Sequence, residues 1–182
     1  MVYSPQSIKL KNGAEAVLRS PRECDAENML RWLKTSSSET DFVVRCPEEC
    51  METPEDERAI IAGVLSSDTD LMILCEIDGD VAGACRLTMN SRIKTRHRGS
   101  IALSIIKKYW NLGIGSAMIT AMCDTARDCG VTQLELEVIK GNDRAKALYE
   151  KHGFITTGRR PNVFRLKDGT MLGEYIMVKQ LN

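Results

Sequence analysis

IALSIIKKYWNLGIGSAMITAMCDTARDCGVTQLELEVIKGNDRAKALYEKHGF, residues 101–154, joins an apolar strand, a glycine loop, an amphipathic helix, an alternating strand and a second helix in one run. Residues 100–106 are largely apolar and read as a buried central strand. Gly113 and Gly115 lack a Cβ, so the backbone there can approach a bound group closely. The helix that follows spans residues 116–129, with Met118, Ala121, Met122, Thr125 and Cys129 on one face and Asp124, Arg127 and Asp128 on the other. Gly130 stops it. Its free N–H groups and the positive end of its dipole converge on the glycine loop, which makes an anion cradle. Residues 134–138 alternate with period two, as a strand with one wet face does. Asn142 or Asp143 caps a helix that runs to His152, with Gly153 just past its end.

The flanks supply further strands and helices. Residues 7–10 and 14–18 surround Lys11-Asn12-Gly13, a hairpin signal. Ser20-Pro21-Arg22-Glu23 opens a helix with Ser as cap, Pro in the first turn and Glu completing a capping box. Thr53-Pro54-Glu55-Asp56 repeats that logic before Ile60, Ile61 and Leu65, and residues 36–51 between the two helices are polar and irregular. Strands at 71–77 and 81–89 meet at Asp78-Gly79, and the tail returns to strand at 154–157 and 175–179 around Lys167-Asp168-Gly169. With no repeat or linker, residues 1–182 read as one mixed α/β domain.

Bulk properties exclude several classes. Lys+Arg and Asp+Glu balance at 25 each, which gives no electrostatic support for a nucleic-acid or membrane-surface role. No stretch approaches the roughly 20 apolar residues of a membrane helix, and the amino terminus does not read as a signal peptide. The seven cysteines are odd in number and form no C-x-x-C pair, so neither a zinc site nor a disulfide framework is expected. They read as reduced thiols, and the chain as cytoplasmic.

Three phosphate-binding loops compete for the glycine pair. A Walker A loop needs Lys-Ser/Thr after its last Gly, but Gly115 precedes Ser116-Ala117. A dinucleotide fingerprint needs a third small residue where Met118 stands, and its first Gly directly after the strand, where residues 107–112 intervene. The third is a loop for coenzyme A. Trp110-Asn111-Leu112-Gly113-Ile114-Gly115-Ser116 resembles the acetyl-CoA loop of the GNAT N-acetyltransferase superfamily, Arg/Gln-x-x-Gly-x-Gly/Ala, with Trp110 in place of the usual Arg or Gln. Asn142-Asp143-Arg144-Ala145-Lys146-Ala147-Leu148-Tyr149-Glu150-Lys151-His152-Gly153-Phe154 matches that family's Asn-x-x-Ala-x-x-Leu-Tyr-x-x-x-Gly-Phe pattern. The resemblance covers residues 71–181 and is to small bacterial members.

That resemblance implies an α/β fold with a mixed, mostly antiparallel central sheet of six to seven strands, flanked by about four helices, its central strands splayed. It implies acetyl-CoA as co-substrate, no metal, and transfer to a primary amine by direct attack in a ternary complex. The pantetheine arm would pair with the backbone of Ser104, Ile105 and Ile106, where an N–H near Ile105 would polarise the thioester carbonyl. Asn111, Leu112, Gly113, Ile114, Gly115 and Ser116 would hold the pyrophosphate, with Ser116 capping the helix. Tyr149 would be the general acid for the departing thiolate; its alternative is a core aromatic. Asn142 would reach the pantetheine arm, beside its plain role as a cap. Lys146 and Lys151 would approach the 3′-phosphate, or else lie on a solvated helix face.

The base is not assigned. Many relatives carry Glu where this chain has Ser100, leaving His97, Glu135, Glu137 and Glu174 as relays to water, or ordered water alone with no dedicated residue. Glu48, Glu49, Glu52, Glu55, Asp56 and Glu57 cluster near the expected acceptor side, where they would steer a cationic amine or simply start a helix. The run Arg92-x-Lys94-x-Arg96-His97-Arg98 would be a solvated hairpin end or hold an acidic partner. The partner expected is a small-molecule amine, and homodimers are frequent among such proteins. Two alternatives remain at this stage: a non-catalytic acetyl-CoA-binding regulatory domain, suggested by Ser100, and a protein or peptide N-acetyltransferase using residues 36–51 as a peptide-binding edge.

Overall fold

The computed structural model describes residues 1–181. Eight strands form one sheet in the order β1-β2-β3-β4-β5-β6-β8-β7. Their ranges are β1 Gln6–Lys9, β2 Glu15–Arg19, β3 Asp70–Ile77, β4 Asp80–Met89, β5 Arg98–Ile105, β6 Gln133–Ile139, β7 Ile155–Arg165 and β8 Met171–Gln180. The helices are α1 Ala26–Ser38, α2 Pro54–Ser66, α3 Ile114–Asp128 and α4 Asp143–Lys151. The sheet is wider than the six to seven strands expected, because the amino-terminal hairpin joins it through Val17↔Glu76, Leu18↔Cys75 and Arg19↔Leu74.

Strand alternation sends side chains to two separate cores. One face of β4, β5 and β6 carries Cys85, Leu87, Ile101, Leu134 and Leu136 against Met118, Met122 and Tyr149 of α3 and α4. The other carries Leu74, Val81 and Ala84 against Ala26 and Met29 of α1 and Ile61 of α2. Among the described residues every sheet pair is antiparallel except β5–β6.

Helix starts follow sequence chemistry at three of the four helices. Thr53 accepts the Asp56 N–H at 3.2 Å and the Asp56 carboxylate returns to the Thr53 N–H at 2.9 Å, a complete capping box for α2. The Asn142 side chain accepts from the Ala145 N–H at 3.3 Å and starts α4. Gly113 starts α3 with φ +99°, a left-handed conformation that explains the glycine. The first helix departs from expectation. Ser20 does not cap it but bridges the Tyr3 N–H (2.8 Å) and the Met72 carbonyl (3.2 Å). A 3-10 turn at Glu23–Asp25 comes first, closed by the Asp25 carboxylate on the Arg22 N–H at 2.7 Å.

Candidate active site

The single parallel pair opens the site. Among the described residues β5 and β6 pair only at Arg98↔Gln133, Gly99↔Leu134 and Ser100↔Glu135. Beyond these, β5 stays with β4 down to Gly83↔Ile105, and β6 stays with β8 up to Ile139↔Glu174. The strands therefore part into a V, and a cavity of about 920 Å³ occupies the gap. Its walls include Ser104, Ile105, Asn111, Gly113, Ile114, Gly115, Ser116, Asn142, Tyr149 and Lys151, drawn from the strand, loop and helix that the sequence singles out.

Strand register decides which backbone groups face the gap. The Ile106 N–H donates to the Ala82 carbonyl at 3.0 Å, and Ala84 lies opposite Ser104. Alternation along an antiparallel ladder then turns the backbone of Ser104 and Ile106 toward β4, and that of Leu103 and Ile105 toward the cleft. So of the three residues expected to pair with an extended ligand, Ile105 alone offers its backbone, Ser104 offers a side chain, and Leu103 joins them. The Ile105 carbonyl already accepts the Trp110 indole N–H at 2.6 Å, which leaves its N–H.

The glycine loop differs in detail from its sequence reading. The start of α3 is Gly113, so Ser116 sits inside the first turn and caps nothing, though it lines the cleft. Asn111 takes φ +65° in the loop. At Gly115 a Cβ would lie 2.8 Å from Leu148 Cδ2, so α3 and α4 touch here and a larger residue would make the Leu148 side chain shift. Leu112 turns to the core, and its carbonyl accepts the Lys11 N–H at 3.0 Å. That bond ties the β1–β2 turn to the loop and brings the Lys11 side chain to the cleft.

Trp110 stands where a cation or amide is usual, and the positive charge comes from elsewhere. The Arg144 guanidinium carbon lies 3.1 Å from the Trp110 ring centroid, stacked on its face. Burial lowers the Arg144 pKa. Neither Lys11 nor Arg144 forms an ion pair among the described residues, and both line the cleft. Lys146 is instead turned away. It pairs with Glu150, lies 5.6 Å from the Tyr175 ring and borders a separate hollow outside α4.

Tyr149 is 6% exposed, stacks edge-on against Phe154 at 5.9 Å and lines the cleft. Burial, with Cys85 adding to it, pushes its pKa up to about 12. The phenol therefore keeps its proton at every working pH. It is a core aromatic and a cleft group together.

The four base candidates separate clearly. Arg98 holds Glu135 through two bonds of 2.5 and 2.6 Å, and Gln133 adds a third at 2.6 Å. The Arg98 hydrogen bonds keep that carboxyl below its usual range, which makes it a poor base. Glu174 is buried with Arg160 2.7 Å away, and neither it nor His97 lines the cleft. Glu137 does line it, with Arg160 no nearer than 3.9 Å. Sequence alone could not separate Glu135 from Glu137, because they share a face and differ only in what Arg98 reaches.

The acidic cluster is tied up internally. Glu48 pairs with Lys167 at 2.5 Å, Glu52 with Arg45 and Glu55 with Arg58 at 2.6 Å. Glu49 bonds the Cys46 N–H at 2.8 Å, Asp56 caps α2, and Glu57 is buried. The residues at 39–46 form a bridge over the V instead. The Glu39 carboxylate accepts the Lys107 N–H at 2.6 Å beyond β5, and the Phe42 ring packs 3.7 Å from where a Gly141 Cβ would be, beyond β6.

A V-shaped gap between two parallel strands, with a helix N-terminus at one end and a buried phenol inside, is the architecture of an acetyl-CoA-dependent acyltransferase. The sequence model of the acetyltransferase (GNAT) family matches residues 28–154, and the chain belongs to that family. An acetyltransferase of the GNAT family from Streptococcus pneumoniae is similar at 28% identity, covering 92% of this chain and 99% of that one, with a TM-score of 0.85. YncA from Salmonella typhimurium, solved with its cofactor acetyl-CoA, shares the fold at 18% identity (92% and 94% coverage, TM-score 0.79). A ribosomal-protein-alanine N-acetyltransferase from Brucella melitensis shares it at 21% identity (90% and 99%, TM-score 0.78). No curated protein matches the chain significantly.

Proposed function

We propose that this chain moves an acetyl group from acetyl-CoA to a primary amine by direct attack within a ternary complex. The observation that carries the reading is the Tyr149 phenol, buried and protonated, at the floor of the V whose edge offers the Ile105 N–H. In this reading Leu103 and Ile105 hold the pantetheine arm as an added strand would. The Ile105 N–H stabilises the oxyanion that forms when the amine nitrogen bonds to the thioester carbon, an interaction worth roughly 2.7–4 kcal/mol.

An alkylamine has a pKa near that of lysine, about 10.4, and must shed a proton before or during attack. In this reading Glu137, the acidic side chain that lines the cleft, takes that proton directly or through water and passes it to solvent. As the C–S bond breaks, Tyr149 donates its proton to the sulfur and recovers one from solvent. The nitrogen of the tetrahedral adduct gives its second proton to water, so the products are an N-acetylamine, the free thiol of CoA and one proton released to solvent. In this reading the N-terminus of α3, Lys11 and Arg144, all at the cleft, would hold the phosphates.

Free-thiol release with an amine panel tests the reading. Tyr149→Phe should lower kcat by about 10²-fold or more while acetyl-CoA affinity stays within about twofold. Undiminished turnover would remove Tyr149 from the chemistry. Tight acetyl-CoA binding by the native chain with no thiol release to any amine or peptide would make it a regulatory domain.

A further inference from the structure

The acceptor side of the cleft has a composition of its own, and it names a class of amine. This step rests on the transferase reading above. Pairing of Met72 with Arg86, Arg86 with Ala102, and Ala84 with Ser104 places these residues on the sheet face opposite α3. Above that face stand Trp32 and Leu33 of α1, together with Phe42 and Val43 of the 39–46 bridge. The bridge is fixed at both ends, by Glu39 on Lys107 and Phe42 on Gly141, so these apolar side chains are held in place.

Charge on this side is already balanced. Arg45 is paired with Glu52. Arg86 reaches Asp70 through Nε at 3.0 Å and through a second nitrogen at 2.8 Å, and Thr88 bonds the same carboxylate at 2.9 Å. An incoming carboxylate on this side would have to break one of these pairs or compete with the cofactor for Arg144, a cleft cation without an acidic partner among the described residues. The one acidic side chain lining the cleft among the described residues is Glu137, which matches a single ammonium. The six acids that the sequence offered for steering a polycation are bound to lysine, arginine, backbone or the core.

We infer that the acceptor is a primary amine carried on an apolar body, an arylalkyl- or alkylamine with no carboxylate and no second ammonium. Its ammonium is met by Glu137. Its body covers Trp32, Leu33, Phe42, Val43 and Met72, surface that otherwise contacts water.

Three probes differing in one property each test this. At saturating acetyl-CoA, kcat/KM is measured by thiol release for 2-phenylethylamine, for phenylalanine (the same body with a carboxylate) and for putrescine (a second ammonium, no aryl group). The expected result is a preference of about tenfold or more for 2-phenylethylamine over each of the others. Phe42→Ala should shrink the preference over putrescine, with the acetyl-CoA dissociation constant reporting that the variant is folded. Putrescine or phenylalanine equalling 2-phenylethylamine would overturn the class while leaving the transferase reading standing. An unchanged preference in a folded Phe42→Ala variant would also overturn it. Thiol release with none of the three nor any other amine would remove both readings together.

Discussion

Arg144 and Trp110 show how one site can be served by different positions of the chain. The indole N–H closes the Ile105 carbonyl and its ring face carries the Arg144 guanidinium at 3.1 Å, so one side chain links the end of β5 to the first turn of α4. An exposed guanidinium that lines the cleft, with no acidic partner among the described residues, is free to meet an anion. Together with Lys11 it supplies charge beside the α3 N-terminus, where the diphosphate of acetyl-CoA would lie. Arg144→Gln should therefore raise the KM for acetyl-CoA about tenfold or more, equivalent to about 1.4 kcal/mol, and flatten its dependence on salt. Acetyl-pantetheine, which lacks the phosphates, separates charge from stacking: its KM should be unchanged in the variant. An equal loss with both donors would mean that Arg144 acts only as a strut. The guanidinium was visible in sequence as one letter of a helix pattern. Its partner was not, because Trp110 and Arg144 meet only after folding.

At the scale of elements, the β4–β5 pair fixes where the Ile105 N–H, the proposed oxyanion donor, sits. Gly83 lies opposite Ile105, and a Cβ there would come within 2.8 Å of the Ser104 carbonyl oxygen and 2.9 Å of Ile105 Cγ1. The first of these is backbone and cannot rotate away. Gly83→Ala should therefore push β5 outward, costing about 1–3 kcal/mol in denaturant unfolding. It should also lower kcat by more than it raises the KM for acetyl-CoA, since the Ile105 N–H moves with its strand. Loss of stability with unchanged kcat would show that β5 tolerates the shift. Much of this layer was legible beforehand. The hairpins at Asn12-Gly13 and Asp78-Gly79, the Thr53 box, the Asn142 cap and the two helices of the 101–154 stretch all follow from local chemistry. β7 was read as four residues and has eleven, because bulges between Thr156 and Gly158 and between Arg160 and Phe164 break its alternation. The first helix start was misplaced because Ser20 bonds Tyr3 and Met72, partners distant in sequence. Likewise, the splay of β5 and β6 came from resemblance, and no periodicity in either strand marks where pairing ends.

The whole molecule depends on joining the amino-terminal hairpin, α1 and the sheet into one body, and a buried ionic cluster does this. Arg19 on β2 is 7% exposed. It bonds Asp25, just before α1, at 2.6 and 2.8 Å, and Glu76 on β3 at 2.8 and 2.6 Å. The same hairpin delivers Lys11 to the cleft, so loosening it should reach the site as well. Arg19→Ala leaves two carboxylates without their cation, one of them buried, and should cost about 3–5 kcal/mol. It should also raise the KM for acetyl-CoA without removing kcat. The pH dependence follows from Asp25. Burial alone would raise its carboxyl, but the Arg19 hydrogen bond and the Arg22 N–H outweigh that, and it sits below the usual range. A carboxyl lowered in the folded state binds fewer protons than in the unfolded chain below about pH 4, the unfolded Asp value. Its contribution is thus complete above that pH and is lost as pH falls through the folded value. Denaturant midpoints measured from pH 7 down to pH 3 should fall at the acid end in the native chain. Asp25→Asn should flatten that fall while lowering the midpoint at pH 7. An acid limb equally steep in Asp25→Asn would place the titration elsewhere and leave Arg19 as a packing residue only.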